Sequence, residues 1–193
     1  MTGGPTTSQM TAPSPPVTGG IYRAPKGTAL PTDTTTALNA AFLSLGSVDD
    51  NGVTLKIDRP TTRKFAWGGA LVAALQEHYA ASLTFNLYQI LDPDVLQAVH
   101  GDANVTVTPP TSTVGTLTST TLNPTLPTYS AWVVAGFYQL TGLRLALPNA
   151  RITQVGDIKF THKDLAAIPV TVDCLPDNNG NLIYQVTNDG VHS

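Results

Sequence analysis

Charge is what this sequence has least of. Asp, Glu, Lys and Arg make up 12% of its 193 residues, about half the usual share. The net charge is −3, so no basic field of the kind that holds nucleic acid is present. Cysteine is nearly absent as well. Cys174 stands alone, which excludes an internal disulfide and permits a reducing compartment. It closes "IPVTVDC", where Ile168, Val170, Val172 and Cys174 share one face of an alternating segment, so it reads as a core thiol rather than a nucleophile. No apolar run approaches the ~18 residues that cross a bilayer, and no membrane partner is expected. The first 20 residues hold no Lys, Arg or apolar block, which excludes a secretory signal.

Threonine fills the space that charge leaves. There are 29, six of them between Thr111 and Thr121. A β-branched hydroxyl side chain favours strands and solvates their surface without charge. A soluble chain with so few charges either exposes a neutral surface or covers much of it with partners. The second is favoured here, because low charge reduces the desolvation cost of a repeated interface.

Length favours a single domain with a possible arm. Residues 1–19, uncharged and made largely of Thr, Pro, Gly and Ser, are expected to be a flexible N-terminal arm; residues 20–193 form the β domain. A first strand over 19–25 is ended by Pro25. Asp33 or a following Thr is placed to cap a short helix over Ala37–Leu45, stopped by Gly46. Period-two patterning then predicts strands at 53–57, 63–67, 70–75 and, most clearly, 78–91, where Leu83, Phe85 and Leu87 face one way. "DPDVLQAVHG" (92–101) predicts a helix capped by Asp92 and stopped by Gly101. Strands follow at 104–108, 130–140, 144–148, 150–162, 168–174 and 181–187, with a loop or hairpin over the Thr-rich stretch up to 128. The fold class is mainly β: an antiparallel sandwich or barrel with one flanking α-helix.

Candidate chemistry is sparse. "SVDDNGVTLKID" (47–58) has nearly the oxygen-ligand spacing of a calcium loop. Asp58 stands where a Glu is needed, and Pro60 with the β pattern after it excludes an exit helix; Asp50-Asn51-Gly52 reads instead as a turn into a strand. "DNNGN" (177–181) reads as a hairpin turn. Four histidines stand in unrelated contexts, and neither a phosphate loop nor a nucleophile elbow is present. No catalytic, cofactor-binding or metal residue is assigned, and the chain is not expected to be an enzyme. Arg59, Arg63, Lys64 and Trp67 form the one notable cluster. It admits three readings: base stacking beside cations, a solvated hairpin whose Trp docks on the core, or a projecting loop that contacts a neighbouring subunit.

The order of the segments is itself a signature. "GGIYRAPKGTALPTDTTTALNAAFLSLGSVDDNGVTLKIDRPTTRKFAWGGALVAALQ", "DPDVLQAVHGDANVTVT", "SAWVVAGFYQLTGLRLALPNARITQVGDIKF" and "IPVTVDCLPDNNGNLIYQV" resemble, over residues 19–187, the major tail tube proteins of long-tailed, siphovirus-type phages, in particular those infecting actinobacteria. The resemblance implies a small β-sandwich, six copies closing into a hexameric ring, and rings stacked into a tube around a tape-measure protein. Such a tube meets tail-end proteins in the virion, is assembled in the host cytoplasm, and passes DNA through its lumen without sequence-specific binding. Within that family "DRPTTRKFAWGG" would be the loop reaching an adjacent ring, with Arg59, Arg63, Lys64 and Trp67 as its assembly residues. The residues also admit a receptor- or carbohydrate-binding β-sandwich of a phage tail or cell surface.

Overall fold

A computed structural model describes residues 11–16 and 19–191. All described strands pair antiparallel. Twelve are present: β1 Ile21–Pro25, β2 Leu43–Ser44, β3 Thr54–Asp58, β4 Thr61–Phe65, β5 Leu71–Gln76, β6 Ala80–Leu87, β7 Val105–Thr108, β8 Leu117–Thr120, β9 Ser130–Tyr138, β10 Thr141–Val155, β11 Ile168–Cys174 and β12 Tyr184–Asn188. The single α-helix among the described residues, α1 Pro93–His100, lies between β6 and β7. The main sheet runs β2-β1-β9-β10-β11-β6-β3, with β12 added to β10.

β10 organises this sheet. Its first half pairs with β12 through Gly142–Ala146, its second half pairs with β11 through Ala150–Val155, and β9 lies along its other edge. The ladder to β9 is interrupted between Leu147 and Ala150, where Pro148 has no N–H to give and a bulge bends the strand. Sequence patterning divided this stretch into strands at 144–148 and 150–162; the molecule builds one strand that ends at Val155. "DNNGN" does form a turn, with Asp177 accepting the backbone N–H groups of Asn179 and Asn181. It is not a hairpin, because β11 and β12 each pair with a different half of β10.

β9 explains its own composition. Trp132 belongs to the main core, while Ala131 and Val133 belong to a second cluster on the opposite face. A strand covered on both faces needs a continuous apolar run, which "AWVVAGF" supplies. The main core gathers Leu83, Phe85 and Leu87 of β6, Ile152 of β10, Val170 and Val172 of β11, and Val95 and Val99 of α1. α1 begins where the sequence places it: Asp92 accepts the N–H of Asp94, a proline stands in the first turn, and the Gly101 N–H returns to the Gln97 carbonyl. Trp132 satisfies its buried indole N–H on the Ala150 carbonyl, 3.2 Å away at the bulge.

The helix expected over Ala37–Leu45 is absent. Buried Arg144 donates to the carbonyls of Asp33 (3.0 Å) and Thr36 (2.7 Å), and the Thr36 carbonyl is one that a helix would need for itself. Asp33 in turn accepts the N–H groups of Thr35 and Thr36, and the Thr36 hydroxyl first, with these backbone bonds after it, holds its carboxyl down at about 2. The segment becomes an irregular cover whose Leu30, Leu38 and Phe42 pack on the outer face of β1 and β9. Tertiary hydrogen bonding to one buried guanidinium overrides local helix propensity.

Of the arm expected over 1–19, residues 1–10, 17 and 18 lie outside the described residues. Ser14 pairs with Phe137 through two backbone bonds of 2.9 and 2.8 Å. Pro13 and Pro15 stand over Gly136 and Gly20, where a Cβ would come within 2.6 and 2.8 Å of them.

Leu147→Ala removes a fully buried side chain from the bend of β10. It should cost about 2–5 kcal/mol of stability in urea unfolding. Leu71→Ala, at a position 55% exposed, should stay within about 0.5 kcal/mol.

Candidate assembly surface

Among the described residues β4 and β5 pair only with each other, and they prolong the β3–β6 pair. Asp58 faces Ala80 at the end of that ladder. The Glu77 N–H then reaches the Pro60 carbonyl at 3.0 Å, and pairing resumes from Thr61 with Gln76 to Phe65 with Leu71. The result is a two-stranded ribbon whose outer part, at about 3.3 Å per residue, reaches roughly 20 Å past the sheet. Its turn is closed by Ala66 and Ala70, with Gly69 at φ 82°, a conformation that suits glycine.

Among the described residues nothing covers either face of the ribbon. Thr61, Arg63 and Phe65 alternate with Thr62 and Lys64 along β4. Phe65, Leu71, Val72 and Leu75 are all more than half exposed, and Trp67 is fully exposed. The reading in which Trp67 docks on the core is therefore excluded. At the root of the ribbon the Arg59 guanidinium lies 4.6 Å from the centre of the Tyr79 ring, His78 lies 3.6 Å from the Asp58 carboxylate, and Thr62 bonds to Glu77. Arg59, Arg63, Lys64 and Trp67 are thus brought together on one projection. Phe65, Leu71, Val72, Leu75 and Tyr79 join them. The residue pattern places an ordinary strand at 70–75 and gives no sign that both its faces are bare.

The opposite end of the β3–β6 pair is acidic. Asp49 closes the turn before β3: its carbonyl accepts from Gly52, and its Oδ2 accepts from Asn51 (2.7 Å) and Asn86 (2.6 Å). Gly52 takes φ 69°. Partial burial first, and then the carboxylates of Asp49, Asp50 and Asp164, hold the Tyr88 phenol above its ordinary value. Beside them lies a cleft of about 170 Å³ walled by Val53, Leu55, Leu143 and Leu145 and edged by Asp49, with Pro13 and Pro15 at its rim. The calcium spacing of 47–58 fails for a geometric reason. Asp58 sits at the far end of β3, about 17 Å of extended strand from the turn, and points its interactions toward His78.

Burial first, and Asp173 second, push the Cys174 thiol up to about 12. It alternates with buried Ile168, Val170 and Val172 as the pattern implies. Asp173 lies on the exposed face of β11 and accepts from Thr153. Asp157, read from sequence as a strand residue, falls beyond the end of β10. Among the described residues no group of three or more His, Cys, Asp or Glu side chains has the placement to hold a metal ion.

A family model described as "Phage tail tube protein" matches residues 9–193, and the chain belongs to that family. Its role is accordingly structural, as a tail tube component of a phage virion. Among solved structures it is similar to a chain of the anti-feeding prophage tube-terminating cap, with TM-score 0.49 and 11% identity over 93% of this chain and 94% of that one. It is also similar to a chain of the sheath–tube complex of an extracellular contractile injection system in its extended state, with TM-score 0.39 and 12% identity over 96% and 100%. A chain of the anti-feeding prophage baseplate gives TM-score 0.43 and 11% identity over 92% and 97%. No curated protein matches the chain.

Two measurements check the acidic turn and the buried thiol. A calcium chelator should leave the thermal unfolding midpoint unchanged; a midpoint lowered by chelator and restored by calcium would contradict the turn described above. At pH 8 the native thiol of Cys174 should react with a small thiol reagent far more slowly than the urea-unfolded chain, because only the thiolate attacks.

Proposed function

We propose that this chain acts by polymerising into hexameric rings that stack into the phage tail tube, forming the conduit for genome delivery. The observation that carries the reading is the bare ribbon β4–β5. An isolated two-stranded hairpin is at best marginally stable in water, and one with apolar side chains on uncovered faces is an aggregation hazard unless a partner covers it. A ring of identical copies supplies that partner at every position, and it also closes the free outer edge of β3. Arg59, Arg63, Lys64 and Trp67 are the assembly residues of the ribbon.

The low charge fits the same role. A lumen through which DNA slides is better without cations, because counterion release on contact means adhesion. The tape-measure protein and tail-end proteins are the other partners, and assembly takes place in the host cytoplasm. Residues 1–19 act as a tie between rings.

Negative-stain electron microscopy of the purified chain should show six-fold rings or tubes. A persistent monomer that binds glycan would favour the receptor-binding alternative. Deleting residues 1–19 should shorten or destabilise the tubes while leaving the far-ultraviolet circular dichroism spectrum unchanged; tubes of unaltered length and stability would remove the arm from the assembly.

A further inference from the structure

Asparagine followed by glycine occurs twice in this chain, at Asn51-Gly52 and Asn179-Gly180, and the two turns are built alike. Each opens with an aspartate two residues before the asparagine, Asp49 in one and Asp177 in the other. In each the glycine N–H returns to the carbonyl of that aspartate at 3.0 Å. Gly52 takes φ 69° and Gly180 φ 82°, and both asparagines are exposed. Backbone shape and solvent access therefore do not tell the two sites apart.

The aspartate carboxylates do. Asp49 Oδ2 accepts the side-chain amide of Asn51 at 2.7 Å and that of Asn86 at 2.6 Å. Asp177 instead accepts the backbone N–H groups of Asn179 (2.8 Å) and Asn181 (2.9 Å) and the Tyr184 hydroxyl (2.6 Å). The Asn179 side-chain amide bonds to no described residue. One amide is tied to a charged acceptor, and the other can turn onto its own backbone.

We infer that Asn179 is a deamidation site and that the Asp49 carboxylate protects Asn51 from the same reaction. Glycine opens the route because no Cβ shields the attacking nitrogen. The Gly180 nitrogen gives up its proton and bonds to Asn179 Cγ, closing a succinimide ring. The Cγ–Nδ2 bond breaks, and Nδ2 leaves with a proton as ammonia. Water then opens the ring at either carbonyl, which leaves aspartate or isoaspartate at position 179. Water is consumed, ammonia is released, and nothing is oxidised or reduced. At Asn51 the amide must first leave Asp49, and breaking a hydrogen bond to a charged group slows the step at least about tenfold. The product matters to the fold. Isoaspartate adds an atom to the backbone between 179 and 180, which displaces the Asn181 N–H from Asp177. It loosens the latch on Tyr184, which packs against the cluster outside β1 and β9.

The test follows the native full-length chain stored in mildly alkaline buffer. Peptide mass spectrometry locates each exchange of amide for acid, and isoaspartate-specific methyl transfer identifies the product. Deamidation at 179 should outpace that at 51 at least about tenfold. In urea, where Asp49 no longer holds the amide, the two rates should converge. Asp49→Ala should raise the native rate at 51 toward that at 179. Asn179→Gln, whose longer side chain must close a larger and slower ring, should suppress the product at 179. Aged wild-type protein should unfold at a lower temperature than equally aged Asn179→Gln. Equal native rates at the two sites, or a gap that persists in urea, overturns the inference. A folded Asp49→Ala chain in which Asn51 stays intact overturns the protective role of Asp49. Equal unfolding midpoints after ageing overturn the loosening of Tyr184.

Discussion

Every backbone amide that leaves water must find a partner, and in this protein one strand meets that demand for both halves of the main sheet. β10 gives one edge to β9 and divides the other between β12 and β11. The bend at Pro148 and Asn149 allows the division. It leaves carbonyls out of the ladder, and Ala150 gives one of them to the Trp132 indole while Asn149 accepts the N–H of Leu175. Because one strand is shared, the main core beneath β6, β11 and α1 and the second cluster outside β1 and β9 are built on a single backbone. Neither cluster can shift its register without moving the other.

The same accounting fails at the ribbon. Within one chain β4 and β5 satisfy each other's backbone but bury neither face, and their apolar side chains remain in water. A well-buried core is thus joined to a two-stranded appendage whose large apolar side chains are exposed. A neutral surface limits non-specific adhesion, and four of the ten Lys and Arg residues lie within residues 54–79.

Much of this was legible in the residues. The alternation of Leu83, Phe85 and Leu87, the cap-and-stop grammar of Asp92, Pro93 and Gly101, and the core position of Cys174 all follow from local periodicity and backbone chemistry. Each depends only on neighbours in sequence. The cluster Arg59, Arg63, Lys64 and Trp67 was visible as a cluster too, though its surroundings were not. The readings that failed depend on distant partners. Ala37–Leu45 has helical spacing, yet Arg144, more than a hundred positions on, takes the carbonyl that a helix would use. "DNNGN" has hairpin chemistry, yet the bend in β10 sends its two flanking strands to different halves of another strand.

Sequence by itself determined a mainly β chain, one capped helix, a lone inert thiol, an uncharged leading segment and a cationic cluster beside a tryptophan. These are properties of spacing and composition, and no folding is needed to see them. Tertiary structure alone decided that β9 is buried on both faces, that the cationic cluster stands clear of the core, and that an acidic turn lies at the other end of the same strand pair. The physical reason is that side-chain direction is local, whereas exposure and opposition are set by what the rest of the chain leaves uncovered.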